Sequence, residues 1–263
     1  LPLTPIQRWF FEQNLKNYNY YNQAFLFETR FFLKLEVLEE AFRAVVSHHD
    51  SLRLRFRREG LNWNQAYILP EETYEYKVKI CCQIDLELLS LKKQNQKIEE
   101  ISSQIQASLD IENGPIIQVA LFNCGKNKQR LLIVIHHLNM DGVSWRILQE
   151  DLEAAYTYAL QRKEIKLPPK THSYQRWSLR LKECGIENKF RNEIAYWSKI
   201  LEHKCLSLDF DRGECTNQSA QKINAALSKK ETKQLIQEAP QAYKTQINDI
   251  LLTALTITLT DWA

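Results

Sequence analysis

The sequence predicts an α/β protein of the α+β sandwich kind, a sheet covered by amphipathic helices. Three observations point there. Two apolar runs, Pro115 to Phe122 and Arg130 to Ile135, flank a polar turn from Asn123 to Gln129, the pattern of a hairpin buried on both faces. Stretches on either side carry apolar residues at helical spacing. The chain has 263 residues, 44% hydrophobic and 25% charged, with only 6 glycines and 7 prolines. That composition is globular, and the length buries a substantial core without a disulfide or metal staple.

Thr4 before Pro5 is an N-cap with proline at the first helical position, and Ile6, Trp9, Phe10 and Gln13 then share one face. Asn22 to Leu33 is aromatic and branched enough for a strand. Val37, Leu38, Ala41, Phe42, Val45 and Val46 predict a helix that stops at His48-His49-Asp50. Leu52 to Arg57 alternates apolar and basic residues, which predicts a strand with its arginines on the open face. Short strands are expected around Trp63 to Ile68 and Tyr74 to Ile80, followed by a polar helix burying Ile98, Ile101, Ile105 and Leu109. After the hairpin, Trp145, Ile147, Leu148, Leu152, Ala155, Tyr156 and Ala159 describe an amphipathic helix, and Pro168-Pro169 then break the chain. Helices around Ser173 to Lys182 and Phe190 to Leu201 precede an irregular stretch that is the best candidate linker. Ser228 with Glu231 is a capping box for a helix at Lys229 to Glu238. Ile247, Ile250, Leu251, Ala254, Leu255, Leu259 and Trp262 continue at helical spacing.

Composition excludes several classes of partner. Net charge is +3, from 35 basic and 32 acidic side chains, so no global field favours nucleic acid or an anionic membrane. Arg53, Arg55, Arg57 and Arg58 are read as a solvated or internally paired strand face. No apolar run approaches the ~18 residues of a membrane span. The six cysteines, Cys81, Cys82, Cys124, Cys184, Cys205 and Cys215, contain no C-x-x-C pair, and reduced cytoplasmic thiols are expected. The start at Leu1-Pro2-Leu3, with neither initiator methionine nor signal pattern, leads us to expect a segment of a longer polypeptide.

Chemistry concentrates in Ile135-His136-His137-Leu138-Asn139-Met140-Asp141-Gly142-Val143-Ser144-Trp145, between a buried strand and a helix. Side chains alternate along a strand, so His136 is expected to point inward and His137 toward an open site. Asp141 is placed to brace the loop, and Gly142 to permit a backbone angle or an approach that a side chain would block. Imidazole is the side chain best suited to proton transfer near neutral pH. No Gly-x-Ser-x-Gly elbow makes either histidine part of a serine triad. Divergence of the two rings and the lack of a third ligand argue against a metal. Residue types alone leave the doublet's role open, since His48-His49-Asp50 is a similar doublet at a helix end.

His136-His137-x-x-x-Asp141-Gly142 resembles the signature of the condensation-domain superfamily of nonribosomal peptide synthetases. Thr4-Pro5-Ile6-Gln7-Arg8-Trp9-Phe10 resembles the opening motif of its epimerization subtype, not the Ala-Gln-x-Arg opening of peptide-bond-forming members. His49-Asp50-Ser51-Leu52-Arg53, Asp141-Gly142-Val143-Ser144-Trp145-Arg146-Ile147-Leu148, Ser173-Tyr174-Gln175-Arg176-Trp177 and Asn248-Asp249-Ile250-Leu251-Leu252-Thr253-Ala254 follow the same subtype in order. The family's later motifs, including a Glu-Gly-His-Gly-Arg-Glu segment, have no counterpart before Ala263.

The resemblance implies a chloramphenicol-acetyltransferase-like lobe with a mixed sheet and covering helices, plus the start of a second similar lobe. Residues 1–201 would be the first lobe, 202–218 a linker and 219–263 the incomplete second. It further implies cofactor-independent inversion of the α-carbon of an aminoacyl or peptidyl thioester presented on the phosphopantetheine arm of a peptidyl carrier domain. The chain alone is expected to be inactive. His137 would be catalytic, His136, Asp141 and Gly142 supporting, and Ser144 and Trp145 candidates for lining the substrate tunnel or starting the helix, with helix packing an equal alternative for Trp145. Asp141 would form a charged hydrogen bond with an arginine. A downstream condensation domain is the further partner implied. A peptide-bond-forming domain and a noncatalytic carrier-docking module are the rival readings.

Overall fold

A computed structural model describes residues 1–69, 81–126, 128–202 and 219–262. They fall into two compact units, Leu1–Phe190 and Arg191–Ala263. The first unit is built on a four-stranded sheet of β1 (Asn22–Glu28), β4 (Cys81–Asp85), β5 (Ile117–Asn123) and β6 (Gln129–His136), in the order β1-β6-β5-β4. β1 and β5 both run antiparallel to β6, while β4 runs parallel to β5, so the sheet is mixed.

The central hairpin β5–β6 is apolar throughout because both its faces are covered. On one face Val119, Leu121, Ile133 and Ile135 pack against Phe42 and Val45 of α2 (Leu35–His48) and Leu148 and Ala155 of α4 (Ser144–Leu160). On the other, Ala120, Phe122, Leu132 and Val134 pack against Ile98 and Ile105 of α3 (Leu91–Ala107). The period of two along each strand thus assigns alternate residues to two cores, each large side chain contributing about 1.5–3 kcal/mol by leaving water.

A second, two-stranded sheet pairs β2 (Leu54–Glu59) with β3 (Asn62–Tyr67). Leu54 and Phe56 meet Phe10 and Phe11 of α1 (Pro5–Glu12) in a third apolar cluster. The expected apolar face of α1 is corrected here: Gln7, Phe10 and Phe11 are buried, whereas Ile6 and Trp9 are exposed. Gln7 goes inside because its Oε1 accepts from the Thr4 N–H at 2.9 Å and its Nε2 donates to Gln65 Oε1 at 3.0 Å. A buried amide with partners at both ends is satisfied.

Two further expectations change. The strand from Asn22 ends at Glu28, not Leu33, because β6 begins at Gln129: its carbonyl accepts from the Thr29 N–H at 3.2 Å, and its side-chain amide, not a strand, then holds Leu33. Arg53 is buried and ion-paired with Asp50 at 3.1 Å, so it does not share an open arginine face. The strand expected at Tyr74 to Ile80 lies outside the described residues. No disulfide joins the described cysteines Cys81, Cys82, Cys124 and Cys184.

Helix α5 (Tyr174–Ile186) completes the first unit. The second unit holds α6 (Ile194–Leu201), then α7 (Lys229–Lys233) running through a π-turn at Gln234–Glu238 into α8 (Ala239–Tyr243), and α9 (Ile247–Trp262). Ser228 and Glu231 form the expected capping box. None of the described residues of these helices is buried. Apart from Glu202, the linker expected at 202–218 lies outside the described residues. Among the described residues no helix is long and apolar enough to cross a membrane.

Candidate active site

The end of β6 delivers two adjacent histidines to opposite sides, as the strand period requires. Hydrogen bonds from His136 N–H to the Ile116 carbonyl and from His137 N–H to the Tyr21 carbonyl hold the backbone there. The loop beyond is tied down by Asn139, whose side chain donates to the Ser51 carbonyl at 2.6 Å.

His136 is fully buried. Its Nε2 lies 2.8 Å from the Tyr18 carbonyl and must donate, while Nδ1 accepts from the Leu138 N–H at 3.2 Å. Phe10 packs edge-on against the ring. Burial is the main reason its pKa is pushed down to about 4, and the Tyr18 hydrogen bond offsets only part of that.

His137 is half-buried and lines a cleft of about 630 Å³. Its Nδ1 sits 2.7 Å from the Met140 carbonyl, an acceptor only, so Nδ1 carries the hydrogen. Nε2 faces the Gln23 side-chain nitrogen at 3.1 Å, and the Tyr21 ring stacks on the imidazole with centroids 5.3 Å apart. The Trp145 indole N–H donates to Gln23 Oε1.

The remaining residues singled out in the sequence part company. Asp141 Oδ1 accepts from the Ser144 N–H at 2.8 Å and from its Oγ at 2.6 Å. Those bonds from Ser144 hold the carboxyl below the ordinary carboxylate range. Asp141 therefore caps the start of α4, satisfying an N–H group that a helix leaves without a partner. Gly142 is outside the left-handed region and a Cβ there would meet no atom of the chain, so neither its backbone angle nor a protein neighbour requires a glycine. Ser144 lines the cleft. Trp145 does not: it is 4% exposed, packed in the core with its ring edge against Phe25.

The rest of the cleft wall comes from α1 and α5. Ile6 and Trp9, exposed on α1, face it together with Tyr174, Trp177 and Leu181. A 3.1 Å hydrogen bond between Thr4 Oγ1 and the Tyr174 hydroxyl links the two walls. Sequence reasoning missed Gln23 and Tyr21. The alternation Gln23-Phe25-Phe27 put Gln23 on one strand face, but only the β1–β6 register, Gln23 opposite Ile135, brings it beside His137.

A second cluster lies in a neighbouring cleft. Among the described residues, His48, His49 and Asp151 are the group whose ligand atoms, all within 4.8 Å, are able to hold a metal ion. Burial, then the neighbouring His49, lowers the pKa of His48.

This architecture is shared with known proteins. A family model described as "Condensation domain" matches residues 1–263. The chain is 40% identical over 265 residues to a subunit of linear gramicidin synthase and 34% identical over 268 residues to tyrocidine synthase 1, both of Brevibacillus parabrevis. It is covered completely in both matches but spans only 3% and 24% of those proteins. Among solved structures it resembles the epimerization domain from the third module of tyrocidine synthetase B, with a TM-score of 0.87 and 34% identity over the whole chain and 59% of that one. It also resembles the starter condensation domain of rhizomide synthetase, at a TM-score of 0.65 and 18% identity over 77% of this chain and 45% of that one, a likeness of fold alone. The mixed sheet with covering helices is the chloramphenicol-acetyltransferase-like fold expected from the sequence, and the chain belongs to the condensation-domain family of nonribosomal peptide synthetases.

Proposed function

We propose that the chain is part of an epimerization domain, in which His137 moves the α-proton of an aminoacyl or peptidyl thioester. The observation that carries this reading is an imidazole whose Nδ1–H is committed to the Met140 carbonyl, so that its other nitrogen, Nε2, beside the Gln23 amide, is the one left to act on a substrate in the apolar cleft. The 34% likeness to an epimerization domain over the whole chain supports the subtype.

The chemistry balances without redox. The thioester carbonyl acidifies the α-C–H bond. Nε2 of His137 takes the proton, the bond's electrons pass into an enolate, and a second acid returns a proton to the opposite face. That second group, a glutamate by family resemblance, belongs to a part of the domain outside these residues. The thioester arrives on the phosphopantetheine arm of a peptidyl carrier domain, as substrate. No dissociable cofactor is required, a downstream condensation domain receives the product, and the reaction belongs in the cytoplasm with neither nucleic acid nor membrane as partner.

The family's name favours a second reading, peptide-bond formation, in which the same nitrogen positions an attacking amine. Mass spectrometry of a loaded carrier incubated with the full-length protein in D₂O separates the two. Deuterium at the α-carbon supports epimerization, a dipeptide means condensation, and neither leaves a carrier-docking module.

A further inference from the structure

The hydrogen-bond chain behind His137 admits one assignment. An indole nitrogen only donates, so the atom 2.5 Å from Trp145 Nε1 is the oxygen of the Gln23 amide, and the amide orientation is fixed. The NH₂ group then faces His137 Nε2 at 3.1 Å. A carbonyl only accepts, so the imidazole hydrogen is on Nδ1. The three bonds run in one direction: Trp145 to Gln23, Gln23 to His137, His137 to Met140.

We propose that Gln23, held by Trp145, is a positioning residue that keeps His137 Nε2 as a proton acceptor, and that it yields this lone pair to the substrate. A proton on Nε2 would confront the amide hydrogens. Turning the amide to relieve this would set its NH₂ against the indole N–H, so the Nε2–H tautomer is opposed from two residues away. The other groups facing the ring do not impose this direction. They are the Asp141 carboxylate in the loop, the buried His136 beside it, and the stacked Tyr21 ring. Gln23 lies on β1, which pairs with β6, and Trp145 is buried on α4, which packs on the sheet, so both partners are held by regular structure.

The proposal rests on the base role given to His137, and the test keeps the two apart. The first arm is ¹⁵N NMR of the histidine-labelled chain. The expected result is the Nδ1–H tautomer at His137 and the opposite, Nε2–H tautomer at His136, which also reports that the fold is intact. In Gln23→Glu a carboxylate accepts from both Trp145 and a protonated Nε2, so the midpoint of His137 protonation rises by about one to three pH units. In Trp145→Phe the amide is released to turn, and the midpoint rises by less. The second arm is α-carbon exchange by the full-length protein, whose acid limb moves up by the same amounts. The Nε2–H tautomer at His137 in the wild type, or an unmoved midpoint in Gln23→Glu, overturns the proposal. Absence of exchange in the wild type instead overturns the epimerase reading, while the spectra still decide the role of Gln23.

Discussion

Nε2 of His49 lies 2.7 Å from Oδ2 of Asp151, a contact that joins the end of α2 to the buried side of α4. These two helices cover the same face of the sheet, so the pair ties together the layer from which the His137 loop departs. Asp151→Ala is expected to lower stability by about 1–2 kcal/mol, because it removes the buried carboxylate that a partly exposed imidazole is bonded to. Chemical denaturation with an unchanged slope checks this, and a loss within error of zero would show the contact to be idle.

The buried His136 makes stability depend on pH. Its folded-state pKa is depressed from 6.5 to about 4, so between those values the unfolded chain binds a proton that the native chain refuses. The stabilisation is complete above pH 6.5 and falls as pH drops toward 4, by about 3 kcal/mol in all. Thermal melts from pH 7.5 to 4.5 should show this slope. His136→Ala should melt lower at every pH and flatten it, and an equal slope in both proteins would assign the effect elsewhere.

Exchange at the substrate α-carbon is expected to survive chelation. The rings of His136 and His137 point to opposite sides of β6, toward the Tyr18 and Met140 carbonyls, and so do not converge on one ion. Complete loss of exchange in a chelator, restored by zinc, would point to a metal, with His48, His49 and Asp151 as its ligands.

The central hairpin, its covering helices and the opposed directions of His136 and His137 were legible in the sequence, because each follows from a period of two or 3.6. The lining of the site was less so. The sequence leaves Trp145 open between tunnel lining and helix packing; one helical step from Ser144 turns it into the core, and its indole reaches the site only through Gln23. Gln23 is silent in sequence because its neighbour across the sheet, Ile135, lies more than a hundred residues away along the chain. Asp141 was read as a brace for the loop, and the structure gives it a local partner that the sequence reading did not name, Ser144, three residues on. Local hydrogen bonds at the helix start hold the carboxylate.

If His137 is the proton-transferring base, α-carbon exchange measures its action directly. A carrier loaded with its aminoacyl thioester is incubated in D₂O with the full-length wild-type protein and with His137→Ala, and deuterium at the α-carbon is counted by mass spectrometry. The wild type is expected to exchange and invert, and His137→Ala to lose at least a hundredfold in rate, about 3 kcal/mol of barrier, with its melting temperature near that of the wild type. Exchange by His137→Ala at the wild-type rate would contradict the account.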